Sequence, residues 1–231
     1  LGDYPNSLET IERALTLSKK SIKKDHSNYA LALANIADIY SEIGDNKKAI
    51  EFSKESLNLY ENKFGKISEQ YAEVLSNLAI YYSNLDEDSI FYSVLLNIES
   101  IEINEALYGK YHPNYVRDLN NLASLVSDMG DYEYALDLSK ESVELHKVIF
   151  GEKHPNYAFA LSSLSWVYCN LEEYDLAINI QKEVIEILEK VYNSENHEFT
   201  VEIASLAYFY SYNSDYKLSY EFFSNYLKSY I

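Results

Sequence analysis

The chain has 231 residues, 47 % of them apolar, and 19 Lys and Arg against 37 Asp and Glu, for a formal charge of −18. That apolar share supports a packed core and argues against disorder, while so negative a charge excludes nucleic acid or an anionic membrane as the main partner, since phosphate binding runs on clustered Lys and Arg. A single Cys excludes a disulfide framework or a multi-cysteine metal site, three Pro and six Gly are too few for a turn-rich all-β chain, and no apolar run approaches the roughly 18 residues of a membrane span. The N-terminus, Leu1-Gly-Asp-Tyr, has no signal-peptide pattern. The expectation is a cytoplasmic, acidic, all-α protein.

In chain order, residues 1–25 read as half of a repeating unit. Gly2-Asp3-Tyr4 lies 42 residues before Gly44-Asp45-Asn46, so the chain is expected to open at a turn and continue into a helix carrying Leu8, Ile11 and Leu15. Five anchors follow: His26-Ser-Asn-Tyr-Ala, Ser68-Glu-Gln-Tyr-Ala, His112-Pro-Asn-Tyr-Val, His154-Pro-Asn-Tyr-Ala and Asn196-His-Glu-Phe-Thr. They are 42, 44, 42 and 42 residues apart, the longer step absorbing two extra residues near Asp86 and Glu87. The units are therefore 1–25, 26–67, 68–111, 112–153, 154–195 and 196–231, about 5.5 repeats in a single array. The half unit at the start, and the stop straight after a helix with no polar capping helix, point to a piece of a larger protein.

Columns keep register across the units. Ten residues past each anchor stand Ile36, Leu78, Leu122, Leu164 and Leu206; the next position is always small, at Ala37, Ala79, Ala123, Ser165 and Ala207. Tyr40, Tyr82, Val126, Tyr168 and Tyr210 follow three places later, Gly44 and Gly130 mark a turn, and Ala49, Ser93, Ala135, Ala177 and Ser219 form a second small column. Spacing within a unit is helical: Tyr115, Leu119, Leu122, Ala123 and Val126 make one stripe, and Tyr132 to Leu145 a second after the Met129-Gly-Asp turn. Each unit is thus helix A, a turn, helix B and another turn. His-Pro fits a cap followed by Pro in the first helical turn, and Ser68 and Asn196 are alternative caps.

The run Leu119-Asn-Asn-Leu-Ala, Met129-Gly-Asp-Tyr-Glu-Tyr-Ala-Leu, Glu141-Ser-Val resembles the tetratricopeptide repeat. With Phe150-Gly-Glu-Lys-His-Pro-Asn-Tyr-Ala between units, the 42-residue period is similar to the kinesin light chain type rather than the usual period of about 34. HEAT and armadillo repeats share the period but not these columns. The resemblance implies a right-handed α-solenoid of antiparallel helix pairs, here eleven helices, whose A helices line a concave groove that holds a peptide or partner helix.

Catalysis finds no support. His26, His112 and His154 occupy equivalent anchors, on the order of 10 Å apart in stacked helices, too far to share a metal whose ligand bonds are near 2 Å. His197 lies one place beyond the last anchor, and His146, alone on a helix B, is expected to face solvent. Cys169 fills a column otherwise made of Ser41, Ser83, Ser127 and Ser211, where a small residue is wanted and no base or positive field stands nearby. No phosphate loop, catalytic triad or metal motif occurs, the carboxylates read as solvated helix faces, and no cofactor is expected.

Carried from the resemblance onto this chain, the groove columns include Asn35, Asn77 and Asn121, with Asn120 beside the last. An Asn amide both donates to and accepts from a peptide backbone, or else ties neighbouring helices together. A second column reads Asp38, Ile80, Ser124, Trp166 and Tyr208; a third reads Glu42, Asn84, Asp128, Asn170 and Tyr212. Both vary between repeats, as a surface tuned to a ligand does. Trp166, the only Trp, is either a binding anchor or a half-buried packing residue. Arg117 alone stands on this face against Asp38, Glu42, Glu73 and Asp128, which disfavours a clamp for partner carboxylates. The expected partner is a protein or peptide segment, basic or neutral with apolar anchors. An alternative is a regulatory or assembly module of a larger effector, such as a caspase-like protease, a nucleotide-binding switch or a kinase. Contact with other domains of a parent protein, and end-to-end pairing through Leu8, Ile11 and Leu15 with Phe222, Phe223 and Leu227, are further expectations.

Overall fold

The computed structural model of the chain describes residues 26–192 and 196–228, together with Thr10, Arg13 and Thr16. Among the described residues there are ten α-helices and no strands: α1 (His26–Glu42), α2 (Asn46–Phe64), α3 (Glu69–Ser83), α4 (Ile90–Tyr108), α5 (Pro113–Asp128), α6 (Tyr132–Phe150), α7 (Pro155–Asn170), α8 (Tyr174–Leu188), α9 (His197–Tyr212) and α10 (Tyr216–Lys228). Odd-numbered helices are the expected helices A and even-numbered ones the helices B. The eleventh expected helix, with Leu8, Ile11, Leu15 and the Gly2-Asp3-Tyr4 turn, falls outside the described residues. The two extra residues of the 68–111 repeat lie at a short 3-10 turn, Glu87–Ser89, between α3 and α4. The helices gather into two compact units, Leu1–Asp118 and Leu119–Ile231, divided within α5.

Helix starts follow the anchor chemistry. The Nδ1 atoms of His112 and His154 accept hydrogen bonds from the backbone N–H groups of Asn114 and Asn156 at 3.2 and 3.1 Å, each just before a Pro that needs no donor partner. Asn196 caps α9 by accepting from Phe199 N–H at 2.9 Å. Ser68 departs from the expectation: its hydroxyl donates back to the Gly65 carbonyl at 2.9 Å and makes no cap bond. A hydroxyl has a proton to give, and the carbonyl ending α2 is within reach.

The A-to-B turn needs one residue in the left-handed region. Gly44 and Gly130 take it at φ +85° and +87°, and their N–H groups bond to the carbonyls of Ser41 and Ser127 at 2.9 Å. Asp45 and Asp131 then cap α2 and α6 through Lys48 and Tyr134 N–H. Glu172 and Ser214 hold the same place at φ 62°, a conformation that disfavours any residue with a Cβ.

The repeat columns are the core. Ala37, Ala79, Ala123, Ser165 and Ala207 are all fully enclosed, as are Ala49, Ser93, Ala135 and Ala177. Nothing larger than a methyl or hydroxyl fits where helices A and B approach most closely. In the first unit Ile50, Leu78 and Tyr81 close around Ala37 and Ala49. In the second, Ile178, Leu206, Phe209 and Tyr210 close around Cys169 and Ala177. The aromatic ring three places past each anchor (Tyr29, Tyr71, Tyr115, Tyr157, Phe199) is buried in every repeat. Phe222 and Phe223, expected at an open stacking face, pack inward: Phe222 stacks on Tyr210 with ring centroids 5.6 Å apart, and Phe223 meets Tyr208 edge-on at 5.1 Å. The side chain of Leu227 is outside the described residues.

Candidate functional site

Residues of the expected groove columns line recesses between successive helices A, although Asn120 and Tyr208 also touch their own helix B, through Ser142 and Phe223. In the first unit, α1 and α3 enclose an open recess of about 370 Å³ lined by Asp38, Ser41, Glu42, Asn77, Ile80 and Tyr81. Its floor is already bonded. Asp38 accepts a short hydrogen bond from the Tyr81 hydroxyl and another, at 3.3 Å, from Asn77 Nδ2. Burial, followed by the hydrogen bond to Asp38, pushes the Tyr81 phenol well above its ordinary range, so it stays a donor. Glu42 and Ile80 remain exposed at the rim. Asn77 therefore ties α3 to α1, whereas Asn35 is exposed on α1.

The second unit repeats this geometry between α5 and α7. A recess of about 240 Å³ is lined by Ser124, Ser127, Asp128, Ser162, Ser163, Trp166, Val167 and Asn170. Asn120 Nδ2 donates to Ser163 Oγ at 3.0 Å and its Oδ1 accepts from Ser142 at 3.4 Å, linking three helices. Asn170 Nδ2 donates to Ser127 Oγ at 3.0 Å, across the same gap. Asn121 is half-buried. Trp166 sets its ring edge-to-face against buried Phe209, with centroids 4.8 Å apart, and keeps 36 % of its surface exposed. It is thus both a packing residue and an exposed ring. Asp128 is exposed at the recess, and partial desolvation there raises its carboxyl above the usual range. Tyr208 and Tyr212 are exposed on α9, and Tyr212 stacks on Tyr174 with centroids 6.1 Å apart.

Arg117, the cation expected on this face, is committed elsewhere. Its Nε and Nη2 donate to Asp118 Oδ1 at 3.1 and 3.0 Å. Asp118 is 0 % exposed and also accepts from Ser76 (2.9 Å), Ser100 (2.6 Å) and Asn104 (2.8 Å). Glu202, 8 % exposed, is held likewise by Ser162 (2.6 Å) and Gln181 (2.7 Å), and burial raises its carboxyl above the ordinary value. These two acids correct the expectation that the carboxylates lie on solvated faces. Both stand six places past an anchor, in a column otherwise made of Ala32, Val74 and Ala160. An acid interrupting an apolar column was the signal available in the sequence. Each is bonded by a serine eight places past the preceding anchor, Ser76 or Ser162, so the acids join successive repeats.

His146 also departs from expectation. It is 6 % exposed, its Nδ1 lies 2.8 Å from the Ser142 carbonyl, and burial lowers its pKa, which favours the neutral ring. The Cys169 thiol is buried and pushed up to about 11, so it is not a thiolate at neutral pH. Among the described residues no three His, Cys, Asp or Glu converge as a metal site, and no helix is long and apolar enough to cross a membrane.

Comparison with known proteins follows the same lines. A family model described as tetratricopeptide repeat matches residues 1–62 and 119–190, more than half of the chain. A model for anaphase-promoting complex subunit 5 matches residues 67–148. A search of curated proteins finds no match. Among solved structures, a kinesin light chain-type protein of Podospora anserina with nearly identical TPR-like repeats is 17 % identical, with TM-score 0.68 over 89 % of this chain and 96 % of that one. BtubC (BKLC) from P. vanneervenii is 14 % identical, with TM-score 0.78 over 99 % and 91 %. A Rap protein complexed with competence and sporulation factor is 17 % identical, with TM-score 0.76 over 93 % of this chain and 57 % of that one. At these identities the likeness is one of fold.

Proposed function

The chain belongs to the tetratricopeptide repeat family, whose fold is that of protein-interaction scaffolds, and we propose that it binds an extended segment or helix of a partner protein along its A helices without catalysing a reaction. The observation that carries this reading is where the variable columns lie. The side chains twelve and sixteen places past the anchors differ from repeat to repeat, yet the columns ten and eleven places past them are buried and nearly invariant. Recesses open at these columns in both compact units. A surface needed only for packing would repeat as the core does.

Several features support the proposed partner character, basic or neutral with apolar anchors. Asp38, Glu42, Glu73 and Asp128 lie on this side, and Arg117 is occupied by Asp118. Ile80, Trp166 and Tyr208 offer exposed apolar surface beside them. The Rap protein of similar fold, solved complexed with competence and sporulation factor, supplies an analogy for a bound partner. The proposed contact residues are Asn35, Asp38, Glu42, Asn77, Asn84, Arg117, Asn120, Asn121, Asp128, Trp166, Asn170 and Tyr208. Asn77, Asn120 and Asn170 would act chiefly by holding the helices that carry the others.

The test is selection of 12-residue peptides from a displayed library on the full chain, followed by titration calorimetry. Selected peptides are expected to lose affinity tenfold or more on Trp166→Ala, and on Asn77→Ala combined with Asn121→Ala. Unchanged affinity in both variants removes the proposal.

A further inference from the structure

The two recesses share one register. The first is formed by positions 12, 15 and 16 past the anchor on α1 (Asp38, Ser41, Glu42) and by positions 9, 12 and 13 on α3. The second uses the same three positions on α5 (Ser124, Ser127, Asp128) and includes positions 9, 12 and 13 on α7. In both, the sixteenth position of the leading helix is an acid, Glu42 or Asp128. In both, the twelfth position of the following helix is a large exposed apolar side chain, Ile80 or Trp166. Each recess therefore holds an exposed carboxylate and an apolar platform, and the first adds a second carboxylate, Asp38, bonded to Tyr81 and Asn77.

The polar groups around the second recess are largely spoken for. Ser127 accepts from Asn170, Ser163 accepts from Asn120, and Ser162 donates to Glu202. Among the lining residues Trp166 supplies the one aromatic ring and Asp128 the one charge, and both are exposed. A carboxylate that lines the same recess as an exposed indole matches a flat, delocalised cation, since a guanidinium can stack on the ring and bond the carboxylate through its N–H fork. A compact ammonium does the second but stacks less well. Ile80 with Glu42 lacks a π face, yet suits a long side chain with an aliphatic stem and a cationic head.

Resting on the peptide-binding reading above, we propose that these recesses are pockets for cationic side chains of the partner, and that the Trp166–Asp128 recess takes an arginine. The partner segment is thus basic at defined positions rather than by overall charge.

The probe is N-acetyl-arginine methylamide added to the full ¹⁵N-labelled chain, with N-acetyl-citrulline methylamide as the neutral isostere and N-acetyl-lysine methylamide and spermidine as other cations. Trp166 is the only Trp, so its indole N–H gives one unambiguous signal. The arginine probe is expected to shift that signal saturably, the lysine probe to bind several-fold more weakly, and citrulline to leave it unmoved. Asp128→Asn, a surface change that leaves the fold intact, is expected to weaken the arginine probe fivefold or more. Equal shifts from arginine and citrulline, preference for spermidine over the arginine probe, or an unchanged affinity in Asp128→Asn would overturn the proposal. Library peptides that bind the A helices without any Arg or Lys, indifferent to Asp128→Asn, would overturn it while leaving peptide binding intact. Saturable arginine binding with no selected peptide would support the pocket and count against the peptide reading.

Discussion

Asp118 is the least exposed acid among the described residues, and four side chains donate to it. Replacing it by Ala removes the acceptor for Ser76, Ser100, Asn104 and Arg117 at once. Ser100 has a second acceptor in the Ala72 carbonyl at 2.9 Å, and Arg117 is partly exposed and turns to water. The Ser76 hydroxyl is left as a buried donor and the Asn104 amide keeps only a long 3.4 Å bond to Ser100 Oγ, each loss costing about 1–3 kcal/mol. Asp118→Ala is therefore expected to cost about 4 kcal/mol. Asp118→Asn is different. Its oxygen keeps Ser76 and Arg117, and its new amide meets Ser100, which then donates only to Ala72. Asn104 has an unpartnered Oδ1 and rotates its amide to accept. The expected cost is about 1 kcal/mol. Urea unfolding followed by far-UV circular dichroism separates the two. An Ala variant within 1 kcal/mol of the parent, on the order of one neutral hydrogen bond, or an Asn variant as unstable as Ala, would refute the reasoning.

Further expectations concern the turns and the buried polar groups. Ser214→Gly and Glu172→Gly relieve a left-handed backbone at φ 62° and should each stabilise by about 0.5–1 kcal/mol, after the greater freedom of Gly in the unfolded chain is subtracted; a lower melting temperature would count against the turn assignment. Glu202 has a folded-state pKa above its unfolded value, so its contribution is greatest below the unfolded value and is lost as pH rises through the folded one. Glu202→Gln carries no such penalty and should gain in melting temperature relative to the parent from the unfolded carboxyl pKa upward, levelling off above the folded one; parallel curves would contradict this. Asn97 is fully buried with neither polar side-chain atom bonded, so Asn97→Leu should be neutral or stabilise by about 1 kcal/mol, whereas a loss of 2 kcal/mol or more in urea unfolding would show that the amide is satisfied.

The repeat made the fold legible because each apolar column occurs five times in one frame, and chance agreement in one unit is corrected by the other four. Ala37 and its equivalents, the His-Pro starts and the turn glycines all stand where the periodicity places them. What the residues concealed was polar burial. Asp118 and Glu202 look like solvated acids until their column is compared with Val74 and Ala160, and nothing in the spacing around His146 marks it as buried. The columns leave open whether each Asn meets a ligand or ties helices, and Asn77, Asn120 and Asn170 reach across to the neighbouring helix A. Reach across a gap depends on helix separation, which the spacing along one helix does not encode.

Chemical-shift mapping of a library-selected peptide on the full chain tests the proposed binding face most directly. Saturable shifts are expected at the Trp166 indole and at Asn121, Asp128 and Tyr208 in the second unit, and at Asn35, Glu42 and Ile80 in the first. Shifts confined instead to exposed helix B residues such as Tyr134, Val148 and Leu176 would contradict it.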